Sequence, residues 1–149
     1  MMCNFFSFVA PFVAPYSVYS IAGSKPNSKP FIVMTIYRPP DSSAEYFGKV
    51  KKFIATKDGR DKEFYILGDF NCNWLRPADP ETRRLKTFCN LYQISQLINE
   101  PTRVTETSSL LLDLVIMSHS ERIINSGVSH LGLSDHSLVY AIQKINAFF

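Results

Sequence analysis

The 149-residue sequence is poor in cysteine, and its three cysteines, Cys3, Cys72 and Cys89, are odd in number and show no metal-ligand spacing. A closed disulfide framework and a cysteine-built zinc site are thereby excluded, and a reducing, intracellular setting, nuclear or cytoplasmic, is expected. Charge of one sign is also scarce: 16 Lys+Arg against 13 Asp+Glu leave a net +3. That suits a polyanionic partner but falls far short of the basic stripe that marks nucleic-acid binding by itself. No internal repeat or low-complexity tract appears. The apolar start, Phe5 to Pro15, has no Lys or Arg before it and is interrupted by Pro11 and Pro15. It fits neither a secretory signal nor a membrane helix, so no membrane partner is expected.

What is present is a globular composition, 46% hydrophobic and 19% charged, of a size for one ordinary domain. Residues 1–30 read as an apolar segment of unclear role, a strand remnant or a poorly folded end, and residues 31–149 as the domain proper. Phe31 to Tyr37 reads as a strand buried on both faces, stopped by Arg38-Pro39-Pro40. Ser42 and Glu45 form a capping box for a helix over 43–57, ended by Asp58-Gly59. Its apolar positions are Ala44, Phe47, Val50 and Ile54, and its lysines read as a solvated face. Asp79-Pro80 starts a second helix with Leu85, Phe88, Cys89 and Tyr92 inward. Leu110 to Met117 is a strand, followed by strands at Ile123 to Val128 and Ser137 to Ile142. The order predicts a mixed α/β fold with a largely buried sheet.

The segment Phe64 to Asn71 is the centre of the pattern. An apolar run ends in Gly68-Asp69-Phe70-Asn71, a buried strand delivering polar groups at its carboxyl end. Side chains two apart share a face in an extended chain, so Asp69 and Asn71 look the same way and Phe70 enters the core. An Asx turn is the competing reading of those residues. Asp113 interrupts an apolar strand, where an unpaired carboxylate would be costly. Asp135-His136 stands just before the last strand, where loop residues meet ligands. His119 and His130 read as ordinary loop residues. A parallel-type layout would gather Tyr37, Arg38, Asp69, Asn71, Asp113 and Asp135-His136 at one rim. Carboxylates, an imidazole, an amide and a guanidinium together suit phosphodiester hydrolysis assisted by a hard divalent cation.

Tyr37-Arg38-Pro39-Pro40, Gly68-Asp69-Phe70-Asn71, Glu100-Pro101-Thr102-Arg103, Leu112-Asp113-Leu114-Val115 and Ser134-Asp135-His136-Ser137 follow one another in that order. Together they resemble the endonuclease domain of non-LTR (LINE-type) retrotransposons, within the exonuclease–endonuclease–phosphatase superfamily, related to apurinic/apyrimidinic endonucleases. The resemblance implies a four-layer α/β sandwich and DNA as partner, with hydrolysis leaving a 3′ hydroxyl and a 5′ phosphate. It implies that Asp69 activates or orients the attacking water, Asn71 orients groups around the phosphate and His136 contacts the scissile phosphate. Asp113 would be the carboxylate partner of His136. Tyr37 and Arg38 would lie beside the phosphate, Thr102 would contact DNA, and Asp135 would bind the metal, Mg²⁺ or Mn²⁺.

The family also places an Asn and a metal-binding Glu before the Tyr-Arg strand, and residues 1–30 match nothing there. Asn4 is too near the start, and every Glu lies after that strand. The expectation is therefore the second half of the domain, an N-terminally truncated sandwich. Asp135 would then hold its cation without a partner, and weakly. The rival expectations are a non-enzymatic remnant that binds nucleic acid weakly, and a phosphatase or phosphodiesterase of the same superfamily.

Overall fold

The computed structural model describes residues 2–8, 17–23, 30–43, 45–55 and 62–145. In chain order the elements are β1 (Met2–Phe8), β2 (Ser17–Gly23), β3 (Phe31–Tyr37), α1 (Glu45–Ala55), β4 (Glu63–Asp69), α2 (Pro80–Tyr92), β5 (Ser95–Gln96), β6 (Arg103–Val104), β7 (Ser109–Leu110), β8 (Asp113–Met117), β9 (Ile123–Ser129) and β10 (Leu138–Ile145). A single 3₁₀ turn, Ser120–Arg122, leads into β9. The strands form a five-stranded sheet in the order β2-β3-β4-β8-β5, a three-stranded sheet β1-β10-β9, and a short ribbon β6-β7.

The arrangement of the larger sheet is set by two connections. The β3–α1–β4 crossover returns the chain in the same direction, so β3 and β4 pair in parallel. Between β4 and β8 the direction reverses, and this pair is antiparallel. The expected parallel-type rim is thus a mixed one: β8 begins where β4 ends, and that brings Asp113 to the carboxyl end of β4.

Every residue of β4 is buried, which requires cover on both faces. Ile66, Leu114, Ile116, Val139 and Ala141 belong to one core, so the two sheets face each other; Tyr46, Phe47 and Val50 of α1 and Leu85, Phe88 and Cys89 of α2 join the same core. Burying a side chain of Leu or Phe size contributes roughly 1.5–3 kcal/mol. The result is an α/β sandwich in which, among the described residues, the α-helices are α1 and α2. Among the described residues, no helix is long and apolar enough to cross a membrane.

Local expectations are met unevenly. β3 alternates instead of being buried on both faces: Ile32, Met34 and Ile36 are inside, with Phe31, Val33, Thr35 and Tyr37 half-buried. The Ser42 hydroxyl donates to the Pro39 carbonyl at 2.8 Å and does not cap α1, because the Pro-Pro turn takes it first. Ala44, Lys57, Asp58 and Gly59 lie outside the described residues, as do Pro11 and Pro15. α2 starts at Pro80 behind Asp79, whose carboxylate makes no capping bond. The strand expected over Leu110 to Met117 is broken: β7 ends at Leu110 and β8 begins at Asp113. The N–H groups of Leu111 and Leu112 are taken by side chains, Asn73 Oδ1 at 3.2 Å and Thr102 Oγ1 at 3.1 Å, not by a neighbouring strand. The apolar segment 1–30 supplies an edge strand to each sheet: β1 pairs with β10 and β2 with β3, each over its whole length. Asn4 stands opposite Gln143, deep within β1.

Candidate active site

Gly68 lets the rim form. Its φ is +149°, and a Cβ there would lie 1.8 Å from the Ile36 carbonyl oxygen. Only a residue without a side chain allows β3 and β4 this approach. The next residue, Asp69, is paired in register with Tyr37 on one side and Asp113 on the other. One row across three strands thus carries a phenol and two carboxylates.

The chain leaves β4 through a tight turn that Asp69 itself organises. Asn71 adopts the left-handed conformation, φ +45°. Its backbone N–H donates to Asp69 Oδ1 at 2.9 Å and its side-chain Nδ2 donates to Asp69 Oδ2 at 3.1 Å. The second Nδ2 hydrogen bond goes to the Arg38 carbonyl at 2.7 Å. Asx turn and site are therefore one structure: the turn holds both oxygens of the Asp69 carboxylate. Asn71 Oδ1 accepts no hydrogen bond from a described group. Phe70 is buried, as its position predicts. Cys72 follows it into the core, where burial pushes its thiol up to about 11, so it is no nucleophile.

Asp113 and His136 make the second half of the site. Asp113 is fully buried; its Oδ2 lies 2.9 Å from His136 Nδ1, while its Oδ1 has no hydrogen-bond partner among the described residues. The Asp113 backbone N–H donates to Thr102 Oγ1 at 2.9 Å. His136 is held by its neighbour, since the Ser134 hydroxyl accepts from the His136 N–H and donates to the His136 carbonyl, both at 3.0 Å. The Asp113 contact raises the imidazole above its ordinary range, so that the protonated ring is favoured. Burial, then the Asp113 carboxylate, raise Asp69 from the usual carboxylate range to about 6.

Asp69, Asp113 and His136 offer ligand atoms that all lie within 4.8 Å of one another. An orphaned oxygen on Asp113 and a second carboxylate in the same cluster fit a bound cation, and carboxylate oxygens suit a hard one. Asp135, expected as the metal ligand, is exposed and engaged elsewhere: its Oδ2 accepts from Arg103 Nε at 2.6 Å.

Three other expected site residues stand as follows. Arg38 is buried. Its Nη1 donates to the carbonyls of Phe70 at 3.4 Å and Asn71 at 3.5 Å, and its Nη2 to the Ser42 carbonyl at 3.1 Å and Glu81 Oε2 at 3.0 Å. It ties the Asn71 turn to α2 from beneath. Thr102 is fully buried, its hydroxyl accepting two backbone N–H groups at Leu112 and Asp113. The carbonyl of Tyr37 accepts from the Tyr46 hydroxyl at 3.0 Å, and its own side chain is half-buried. Sequence reasoning gave no role to Arg103, Asn73 or Ser134. Arg103 stood in view inside Pro101-Thr102-Arg103, but nothing local shows that this segment pairs with the residues around His136.

The endonuclease–reverse transcriptase family profile matches residues 31–140, which hold every group just described. No curated protein matches by sequence. Among solved structures, the endonuclease domain of TRAS1, a telomere-specific non-LTR retrotransposon, superposes with a TM-score of 0.68 at 17% identity, covering 97% of this chain and 80% of that one. An endonuclease/exonuclease/phosphatase family protein from Leptotrichia buccalis gives 0.62 at 12% identity, with 97% of this chain and 61% of that one covered. The human Nocturnin catalytic domain, solved with a bound sulfate anion, gives 0.55 at 16% identity, covering 93% and 57%. These likenesses carry the fold, and the profile spans β4, β8 and the turn before β10, where Asp69, Asp113 and His136 stand. The chain belongs to the endonuclease–reverse transcriptase family and has the exonuclease–endonuclease–phosphatase fold.

Proposed function

We propose that the chain is a divalent-metal-dependent DNA endonuclease domain of retrotransposon origin that hydrolyses a phosphodiester at this rim. The observation that supports this most is the meeting of Asp69, Asp113 and His136, from β4, β8 and the turn before β10, within 4.8 Å. Each group has a separate task. Asp69, raised to about 6, is a base matched to neutral pH and takes the proton of the attacking water. Asn71 holds both Asp69 oxygens in place and keeps Oδ1 as an acceptor for that water. His136, donating from Nδ1 to Asp113, presents Nε2 to a non-bridging phosphate oxygen as charge develops there. Thr102 and Arg38 act as positioning residues, the first for Asp113 and the second for the Asn71 turn. Asp69 and Asp113 would hold the ion, Mg²⁺ or Mn²⁺, which when bound polarises the phosphoryl oxygen and offsets phosphate charge.

The test is nicking of supercoiled plasmid with Mg²⁺ by the full chain, beside Asp69→Ala and His136→Ala variants and an EDTA arm. Loss of nicking in both variants and in EDTA is expected. Equal nicking by wild type and variants would sink the reading. An inactive wild type that still binds DNA would make the chain a non-catalytic member of its family.

A further inference from the structure

The Arg103–Asp135 pair carries more than surface decoration. Residues 102–104 and 135–137 run side by side: Ser137 N–H donates to the Thr102 carbonyl at 2.7 Å and Val104 N–H to the Asp135 carbonyl at 3.3 Å. Arg103 and His136 are direct antiparallel partners in this short ladder, so their side chains emerge as cross-strand neighbours. The 2.6 Å bond to Asp135 uses Arg103 Nε alone. Among the described residues nothing accepts from Nη1 or Nη2. The guanidinium is thus held at its inner nitrogen, and the four N–H donors of its Nη1 and Nη2 have no acceptor among the described residues. Its charge also reaches the base, because Arg103 and His136 both oppose the rise of Asp69. A half-exposed guanidinium held at one nitrogen, on the residue paired across from the site histidine, is a phosphate-recognition geometry.

Resting on the reading of this rim as a phosphodiester site, we propose that Arg103 is its phosphate-binding residue and Asp135 its holder, so that DNA backbone is gripped here without a divalent ion. A side-chain cation then meets the DNA backbone beside the site that Asp69 and Asp113 offer to an ion, and Asp135 serves that side chain. The ligand is a nucleic-acid phosphodiester. Free phosphate shares its chemistry but lacks the flanking backbone.

Fluorescence anisotropy of a labelled duplex with the full chain in EDTA tests this without any turnover. A failed nicking assay therefore leaves it standing, and a failed binding assay leaves the catalytic reading standing. Arg103→Gln is expected to weaken binding about tenfold and to reduce the salt-dependence slope by about one. Arg103→Lys should recover the slope but not the full affinity, and Asp135→Asn should weaken binding by freeing the fork. Inorganic phosphate should compete only at far higher concentration than unlabelled duplex; competition at equal concentration would make the site one for free phosphate and overturn the assignment. Wild-type affinity and slope in Arg103→Gln would also overturn it. Phenylglyoxal modification of wild-type Arg103, read by mass spectrometry, needs no folded variant: DNA in EDTA should slow it, and an unchanged rate would end the proposal.

Discussion

Asp69 and Asp113 stand directly opposite one another across the antiparallel β4–β8 pair. Both are buried, and their cross-strand position puts like charges where they repel. Burial first, and the neighbouring Asp113 carboxylate second, raise Asp69 to about 6, while Asp113 Oδ2 contacts His136.

The rate of nicking should therefore be bell-shaped in pH. The acidic limb follows deprotonation of Asp69, which is raised to about 6 in the metal-free site; a cation on that carboxylate should draw the limb below pH 6. The alkaline limb follows His136, which Asp113 raises above the ordinary imidazole range. Asp113→Asn removes the largest cause of the His136 shift and the like charge beside Asp69. Both limbs should move to lower pH, with a large fall in the maximum rate. Limbs that stay in place would separate Asp113 from both groups.

Asp69→Asn should abolish nicking yet stabilise the fold at neutral pH. The folded-state pKa of Asp69 is raised from 3.8 to about 6, so the native state holds this proton more tightly than the unfolded chain. The wild type thus loses stability as pH rises from the unfolded value through about 6, and the Asn variant does not. Urea midpoints should agree below pH 4 and differ above pH 6.5 by about 1–3 kcal/mol in favour of the variant, at roughly 1.4 kcal/mol per pKa unit. A variant less stable at pH 7 than at pH 4, relative to wild type, would refute the sign.

Thr102 accepts two buried backbone N–H groups, at 3.1 Å from Leu112 and 2.9 Å from Asp113. Thr102→Val keeps the shape and strands both donors, at about 1–3 kcal/mol each. Chemical denaturation should show a loss of about 2–6 kcal/mol, and Thr102→Ser should restore most of it. A direct DNA contact would instead leave stability unchanged and raise KM.

Arg38 is buried and serves four carbonyl or carboxylate acceptors, among them Asn71 and Glu81. Arg38→Met should cost about 3–5 kcal/mol, as for one partner removed from a buried pair. Arg38→Lys should rescue little, since an ammonium cannot span the same acceptors. Glu81→Gln should be mild, about 1 kcal/mol, because Glu81 is 30% exposed and also contacts Arg84.

Gly68→Ala should fail to fold. Its Cβ would collide with the Ile36 carbonyl at 1.8 Å, between two backbones that cannot part without breaking the β3–β4 ladder. A loss above about 4 kcal/mol is expected, seen as absent native circular dichroism in soluble material.

The strands at the centre were legible because burial writes itself into composition: Phe64 to Leu67 and Leu114 to Met117 are apolar runs that the structure buries completely. Pro80 at the start of α2 was legible because it lacks the donor that a first helical turn leaves unused. The end of β7 and start of β8 were not, since Leu111 and Leu112 look like strand and only Asn73 and Thr102 intercept their backbone. The burial of Arg38 and Thr102 was obscured likewise: a polar residue at a strand end reads the same whether it faces solvent or core.

By itself, the sequence determined which segments must be buried, where the chain must turn, and which few ionisable groups stand beside buried strands. Those are matters of solvent transfer and local backbone freedom, felt by each residue with its neighbours. The tertiary structure alone decided that Asp69 faces Asp113, that Asp113 holds His136, and that Arg103 answers to Asp135. Those pairings join residues 23 to 44 positions apart, and strand direction and register, properties of the whole sheet, choose among them.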